Sequence, residues 1–188
     1  MIECKKQTDE ELVQSVLLKR DFFGCLIDRY EAKIRRYIRR IMPGVGDDED
    51  DLMQDIFIKA YVNIQSFDTG LKFSSWIYRI AHNEAVSWVR KKNVRPETVE
   101  LGKDDFETFT KSIEVFSNSS EQKLNNDEVN RILSLLSEKY RMVLVLKFLE
   151  GKNYKEISDI LTIPMGSVAT LVHRAKKQFI RIYSKQHE

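Results

Sequence analysis

Apolar residues recur along this chain at steps of three and four, the period of a helix with one buried face. From about Asp21 to Met42 the stripe is Phe23, Leu26, Ile27, Tyr30, Ile34, Ile38 and Ile41, and Pro43-Gly44 ends it. Asp47 and Asp48 are ready caps for a third helix, where Leu52, Met53, Ile56, Phe57, Ala60, Tyr61 and Ile64 keep the period. The pattern breaks at Phe67-Asp68-Thr69-Gly70. Ser74 or Ser75 then caps a fourth helix to about Lys92, with Ile77, Ile80, Ala81, Ala85, Trp88 and Val89 facing inward. A short helix from a Thr8 or Asp9 cap to about Lys19 precedes them, with Glu10 and Glu11 in its first turn. None of these stripes is stable exposed to water, so the helices pack into a bundle over residues 1–95.

The period decays between residues 96 and 126, around Pro96, Gly102 and Ser117 to Gln122, which reads as a linker with scattered aromatic residues. A second domain, 127–188, follows. Val129, Ile132, Leu133 and Leu136 mark one short helix, and Tyr140 to Phe148 another that stops at Gly151. Asn153 with Glu156 makes a capping box for a third, burying Ile157, Ile160 and Leu161. Thr162-Ile163-Pro164 is a tight turn, and the last helix runs from about Pro164 to Tyr183 with Val168, Val172, Ala175, Phe179 and Ile182 inward. The fold class is all-α: an N-terminal helical bundle and a C-terminal helix-turn-helix domain.

Composition agrees, since 7 Gly and 3 Pro in 188 residues are too few for a turn-rich β architecture. The net charge of +2 announces no polyanion partner, but its distribution is uneven. Asp47 to Asp51 with Asp55 form an acidic block, Arg35, Arg36, Arg39 and Arg40 a basic one, and beyond Pro164 the only acid is Glu188. Such segregation suggests more than one partner surface. Cys4 and Cys25 make neither a disulfide framework nor a metal spacing, which fits a reducing cytosol. There is no signal peptide and no apolar run of membrane-spanning length, so a cytoplasmic protein is expected.

Two helices joined by a tight turn, the second with a polar face and a basic tail, have the form of a helix-turn-helix. Opposite the apolar stripe of the last helix stand Gly166, Ala169, Thr170, His173 and Lys177, with Ser167 and Arg174 at the flank. Small residues at the helix start permit approach to base edges, and the cations neutralise phosphates. A solvated amphipathic helix accounts for the same pattern equally well.

The run DLMQDIFIKAYVNIQSFDTGLKFSSWIYRIAHNEAVSWVRKK resembles the core-binding and −10-reading part of extracytoplasmic-function sigma factors of bacterial RNA polymerase. LSEKYRMVLVLKFLEGKNYKEISDILTIPMGSVATLVHRAKKQF resembles their −35-reading domain. Both lie in the family's order with a variable linker between them.

The resemblance implies docking on the β′ clamp helices of core RNA polymerase through Asp51, Leu52, Gln54, Asp55 and Phe57, and contact with the β flap. It also implies promoter DNA as a partner, including the non-template single strand. Ser66–Ser75 corresponds to a loop that captures a flipped −10 base. Phe67, Lys72, Phe73, Ser75 and Trp76 are placed there, with Asn83, Ser87 and Arg90 on the promoter-facing side of the following helix. On the last helix, −35 contacts fall to Ser167, Thr170, His173, Arg174 and Lys177. An anti-sigma protein is a further expected partner, and no cofactor or metal is expected.

Read as residues alone, several of these positions keep a second account. Asp51 serves equally as a helix-start acid, Leu52 and Phe57 partly serve the core, and Phe67 and Trp76 can cap the bundle. The family's usual Lys and Arg on the last helix are Ala169 and Leu171 here, and Ser87 and Trp88 stand where Asp and Arg are frequent. Ser137 replaces a usual Pro and Thr162 a usual Gly.

No phosphate loop, metal-ligand pair or nucleophile motif points to catalysis. Opening duplex costs roughly 1.4 kcal/mol per step, and one base stacked on a ring returns roughly 1–3 kcal/mol. A bubble of many pairs therefore needs a larger machine to hold it, which favours a detachable polymerase subunit. A free-standing helix-turn-helix regulator leaves the run from Asp51 to Arg95 unexplained. A helical adaptor that never touches DNA leaves the basic last helix unused.

Overall fold

The computed structural model describes residue 4, residues 6–92 and residues 126–187, and among these every regular element is helical. Thr8 opens α1 (Asp9–Leu18) with a reciprocal capping box: its hydroxyl accepts the Glu11 N–H, and the Glu11 carboxylate accepts the Thr8 N–H. A 3-10 turn at Arg20–Phe22 leads into α2 (Phe23–Ile41). Its stripe is buried as the spacing requires, with Ile27 half-buried. Tyr37, three residues after Ile34 and outside the expected stripe, is fully buried too.

Asp47 and Asp48 do not cap the third helix with their side chains. They lie in a 3-10 turn, Gly46–Asp48, and α3 (Glu49–Asn63) begins after it. The first residue of α3 does the anchoring. The Glu49 carboxylate accepts from Arg35 Nη1 at 2.8 Å and from Arg39 Nε at 2.7 Å, joining α3 to α2. The bond to Arg39 is the main cause of a Glu49 pKa below the usual carboxylate range. Arg35 also binds Asp50 at 2.6 Å. Part of the acidic block is thus spent on the basic one, so the two are not wholly separate partner surfaces.

α4 (Phe73–Lys92) starts at Phe73, one residue before the expected caps. Ser74 and Ser75 sit inside its first turn; Ser75 is buried, and its hydroxyl has no hydrogen-bond partner among the described residues. In the second half, α5 is Asn126–Leu135, and α6 (Glu138–Leu144) widens into a π turn at Val145–Leu149. Gly151, at φ 64°, takes the left-handed conformation that ends this segment. Asn153 and Glu156 close the expected capping box on α7 (Tyr154–Leu161). Thr162 caps its other end at φ 55°, the left-handed geometry that explains why glycine is common there. α8 (Met165–His187) begins just after Pro164 and runs past the expected end at Tyr183.

The reading of the cysteines changes. Cys4 and Cys25 are joined in a disulfide with Cα atoms 5.9 Å apart, rather than being separate thiols. Arg29 gathers the Cys4 and Gln7 carbonyls, which lays residue 4 beside the start of α2. The two halves also pack together, α4 along α7 and α2 against α5 and α6. Arg141 shows how: its guanidinium donates to the Leu133, Ser134 and Leu136 carbonyls at the end of α5 and to the Ile41 carbonyl at the end of α2. One cation so caps a helix end in each half. The linker expected at 96–126 lies outside the described residues, apart from Asn126, which opens α5.

His82 of α4 lies against Tyr37, its Nδ1 3.5 Å from the phenol oxygen. Burial penalises the imidazolium and pushes its pKa down to about 4. A depressed folded value means that stability is complete above the unfolded value of about 6.5 and is lost as pH falls toward about 4. Urea unfolding should lose roughly 2–3 kcal/mol across that window through this residue. His82→Phe should flatten this part of the profile; an unchanged slope would remove His82 as its source.

Candidate nucleic-acid interface

Four rings gather where α4 begins. Phe67, in extended backbone after the 3-10 turn Ile64–Ser66, meets Phe73 at 5.8 Å and Trp76 at 5.3 Å between ring centres. Phe73 also meets Trp76 at 5.6 Å, and Tyr30 of α2 edge-on at 5.4 Å. Phe73 is 1% exposed, Phe67 6% and Trp76 7%. The three rings expected to line a base pocket are therefore core. Their energetics explain it: each ring pair adds about 0.5–1.5 kcal/mol beyond burial, and Phe73 joins three. A stacked base returns about 1–3 kcal/mol, which does not compensate for opening such a cluster.

The cluster holds a polar turn above it. Asp68, Thr69, Gly70 and Lys72 are exposed. Asp68 Oδ1 accepts the Gly70 N–H at 2.9 Å, and its carbonyl accepts the Leu71 N–H at 3.0 Å, so the turn is ordered by its own side chain. Lys72 stands at its end with its amino group 2.9 Å from the Glu156 carboxylate of α7. That contact raises the Lys72 pKa. Along α4, Asn83, Ser87 and Arg90 are exposed at steps of four and three and share one face. Ser75 is buried and does not join it.

On α3, Asp51, Gln54 and Asp55 are exposed on one face, but Leu52 is 3% exposed and belongs to the core, while Phe57 is half-buried. The apolar stripe that packs α3 on its neighbours claims Leu52, so it offers nothing to a partner. The same outer face continues to Ile58 and Val62, which are exposed and which the sequence reading passed over. Their signal was spacing: seven residues from Asp51 and from Asp55, opposite the buried stripe.

On α8, Ser167, Thr170 and Lys177 are exposed, and His173 and Arg174 half-buried. Thr170 donates back to the Gly166 carbonyl at 3.2 Å. Ala169 is exposed, whereas Leu171, two residues on and so on a different side of the helix, is half-buried against the core, and neither position offers a cation. Lys176 turns away, its amino group 4.5 Å from the centre of the Phe148 ring. Among the described residues no helix is long and apolar enough to cross a membrane.

The family model for Sigma-70 region 2 matches residues 26–95, and that for Sigma-70 region 4 matches residues 126–179. The chain is 37% identical over 165 residues to the ECF RNA polymerase sigma factor SigW of Bacillus subtilis, covering 84% of this chain and 86% of that protein. It is 31% identical over 179 residues to the ECF RNA polymerase sigma-E factor of Escherichia coli K12, covering 89% and 93%. In fold it resembles CnrH, solved with the cytosolic domain of CnrY, at TM-score 0.68 and 21% identity over 94% of this chain and 97% of that one. It also resembles the sigma factor RpoE of Bartonella quintana, solved with the anti-sigma factor NepR, at TM-score 0.65 and 20% identity over 86% and 96%.

The ring cluster and the turn above it should separate under mutation. Phe73→Ala should cost about 3–5 kcal/mol in urea unfolding, whereas exposed Lys72→Ala should stay within about 0.5 kcal/mol. A Phe73→Ala protein as stable as wild type would show that the ring is not structural.

Proposed function

The chain belongs to the extracytoplasmic-function sigma factors, and on that premise we propose how its surfaces divide the work of directing RNA polymerase to promoters. As a specificity subunit it contributes recognition, and the nucleotidyl-transfer chemistry resides in its partner enzyme. We assign it no catalytic residue of its own.

The outer face of α3 docks on core polymerase. Asp51 and Asp55 supply charge for a basic surface, Gln54 a hydrogen-bonding amide, and Ile58 and Val62 an apolar end to the same face. The clamp helices of the β′ subunit are the contact we assign to it, and the second domain is assigned to the β flap. The turn from Asp68 to Lys72 captures the displaced −10 base. It does so with backbone groups and the Lys72 cation, over a floor of buried rings that keep its shape. Asn83, Ser87 and Arg90 track the neighbouring single strand, Asn83 offering both a donor and an acceptor. Ser167 and Thr170 approach −35 base edges, while Arg174 and Lys177 meet phosphates. With no cation at Ala169 or Leu171, −35 recognition lacks two of the family's usual contacts and rests on Ser167, Thr170, Arg174 and Lys177. An anti-sigma protein is the regulator assigned to such a chain.

One observation carries this division: Asp51, Gln54 and Asp55 on α3, Asn83, Ser87 and Arg90 on α4, and Ser167, Thr170 and Lys177 on α8 are exposed, while the main apolar stripe of each helix is turned inward. Asp55→Lys tests it. It should weaken association with core polymerase by about tenfold, equivalent to about 1.4 kcal/mol, measured by fluorescence anisotropy of labelled protein. Binding of the free protein to a promoter fragment should not change. Full affinity for polymerase would remove the α3 face from the interface.

A further inference from the structure

Cys4 and Cys25 stand with their Cα atoms 5.9 Å apart, within bonding reach of each other. They are the 2 cysteines of the chain, so neither has another thiol to pair with inside it. Both are half-buried, which leaves a small reagent a path to the sulfurs. Arg29, one turn beyond Cys25 on α2, donates to the Cys4 carbonyl at 2.7 Å and to the Gln7 carbonyl at 2.9 Å. Those contacts hold residue 4 at the start of α2 independently of the sulfurs, so an opened pair stays close enough to close again.

We propose that Cys4 and Cys25 form a reversible thiol–disulfide site that exchanges with low-molecular-weight disulfides of the glutathione class, and that closing it stiffens the support beneath the turn from Asp68 to Lys72. The sulfur chemistry stands on the cysteine pair alone. Its consequence for promoter capture rests on the proposed role of that turn as the −10 contact.

Compartment is the first ground. A polymerase subunit works in the cytosol, where small thiols keep most cysteines reduced and the bonds that do form are transient or redox-sensing. A permanent staple is also superfluous here, since Leu12, Val13 and Val16 already bury α1 in the bundle. The exchange balances without any further reagent. One cysteine thiolate attacks a sulfur of the small disulfide, forming a mixed disulfide and releasing one small thiolate. The second cysteine then attacks the protein sulfur of that mixed disulfide, closing Cys4–Cys25 and releasing the other small thiolate. Two electrons pass from the protein sulfurs to the small disulfide, and the two thiol protons end on the released thiols. The Arg29 cation beside Cys4 favours the thiolate form that attacks.

Connectivity is the second ground. Arg29 Nη1 also donates to Asp9 Oδ1 at 2.6 Å, and the Tyr30 hydroxyl donates to the other oxygen of that carboxylate. The Tyr30 ring packs edge-on against Phe73 at 5.4 Å, in the cluster that floors the turn. The bond spans 21 residues and encloses the whole of α1. Closing that loop restricts the openings of α1 away from α2, and with them the release of Asp9 from Tyr30.

A redox titration of the full chain tests the site. Protein is equilibrated in buffers running from reduced to oxidised glutathione, alkylated with iodoacetamide in denaturant, and weighed intact by mass spectrometry. The open pair carries two alkyl groups and the closed pair none. The chain should pass from two to none at an intermediate ratio and return to two when reduced glutathione is restored. Two alkyl groups at every ratio, or a glutathione left on one cysteine, would overturn the site. None in reduced glutathione alone would make the bond permanent and overturn its reversibility. Hydrogen exchange tests the coupling: amides from Phe67 to Trp76 should exchange about tenfold more slowly in the closed form. Cys25→Ser should give the faster rate in both buffers. Equal rates in the open and closed wild-type forms would break the link to the turn. A −10 strand that crosslinks away from Asp68 to Lys72 would instead remove the consequence for promoter capture and leave both measurements standing.

Discussion

The arrangement depends on four aromatic rings that prefer one another to water or to a base. Tyr30, Phe67, Phe73 and Trp76 bring together α2, the turn after α3, and the start of α4. Their mutual contacts fix where the chain reverses, and the reversal is what lifts Asp68 to Lys72 to the surface. Had the rings been offered as a stacking platform, the bundle would have exposed a large apolar patch whenever no DNA was bound. On the proposed reading, burying them leaves base recognition to backbone groups and to Lys72. Such a turn can be rigid without being apolar, because Asp68 satisfies it locally.

A second economy runs through the charges. Arg35 and Arg39 neutralise Glu49 and Asp50, Arg29 binds Asp9, and Arg40 meets Glu150. Charged residues that look like separate acidic and basic partner patches along the chain thus settle much of the account between helices. The acids that remain on the outer face of α3 are Asp51 and Asp55, spaced by four so that they share one side. A short, directional acidic face can orient a partner without giving the whole molecule a strong field.

The helices were legible because their signals are local: three- and four-residue spacing, the boxes at Thr8 and Asn153, and the stops at Pro43 and Gly151. Where reading failed, a distant residue decided. Asp48 looks like a side-chain cap until Arg35 and Arg39 draw the next residue, Glu49, into the anchoring role. Ser75 looks like a cap, but ring packing starts α4 two residues earlier. Phe73 reads as a stacking ring of the capture loop; its contacts with Phe67 and Trp76 nearby, and with Tyr30 far back in the chain, make it core. Leu52 obeys its helical period, and family position alone had placed it at an interface. The junction between the halves had no sequence signal, since Arg40, Tyr78 and Glu150 each pass as ordinary surface residues until folding brings them together.

The central claim is that polar turn atoms, rather than rings, hold the extruded base. Photo-crosslinking tests it most directly: a non-template strand carrying 5-bromodeoxyuridine at successive −10 positions, in open complexes assembled with core polymerase, followed by mass spectrometry of the adducts. The account predicts that one position crosslinks within Asp68 to Lys72 and that its neighbours reach Asn83, Ser87 or Arg90. Adducts centred on Phe67, Phe73 or Trp76 would show that the rings open to receive the base, and would contradict it.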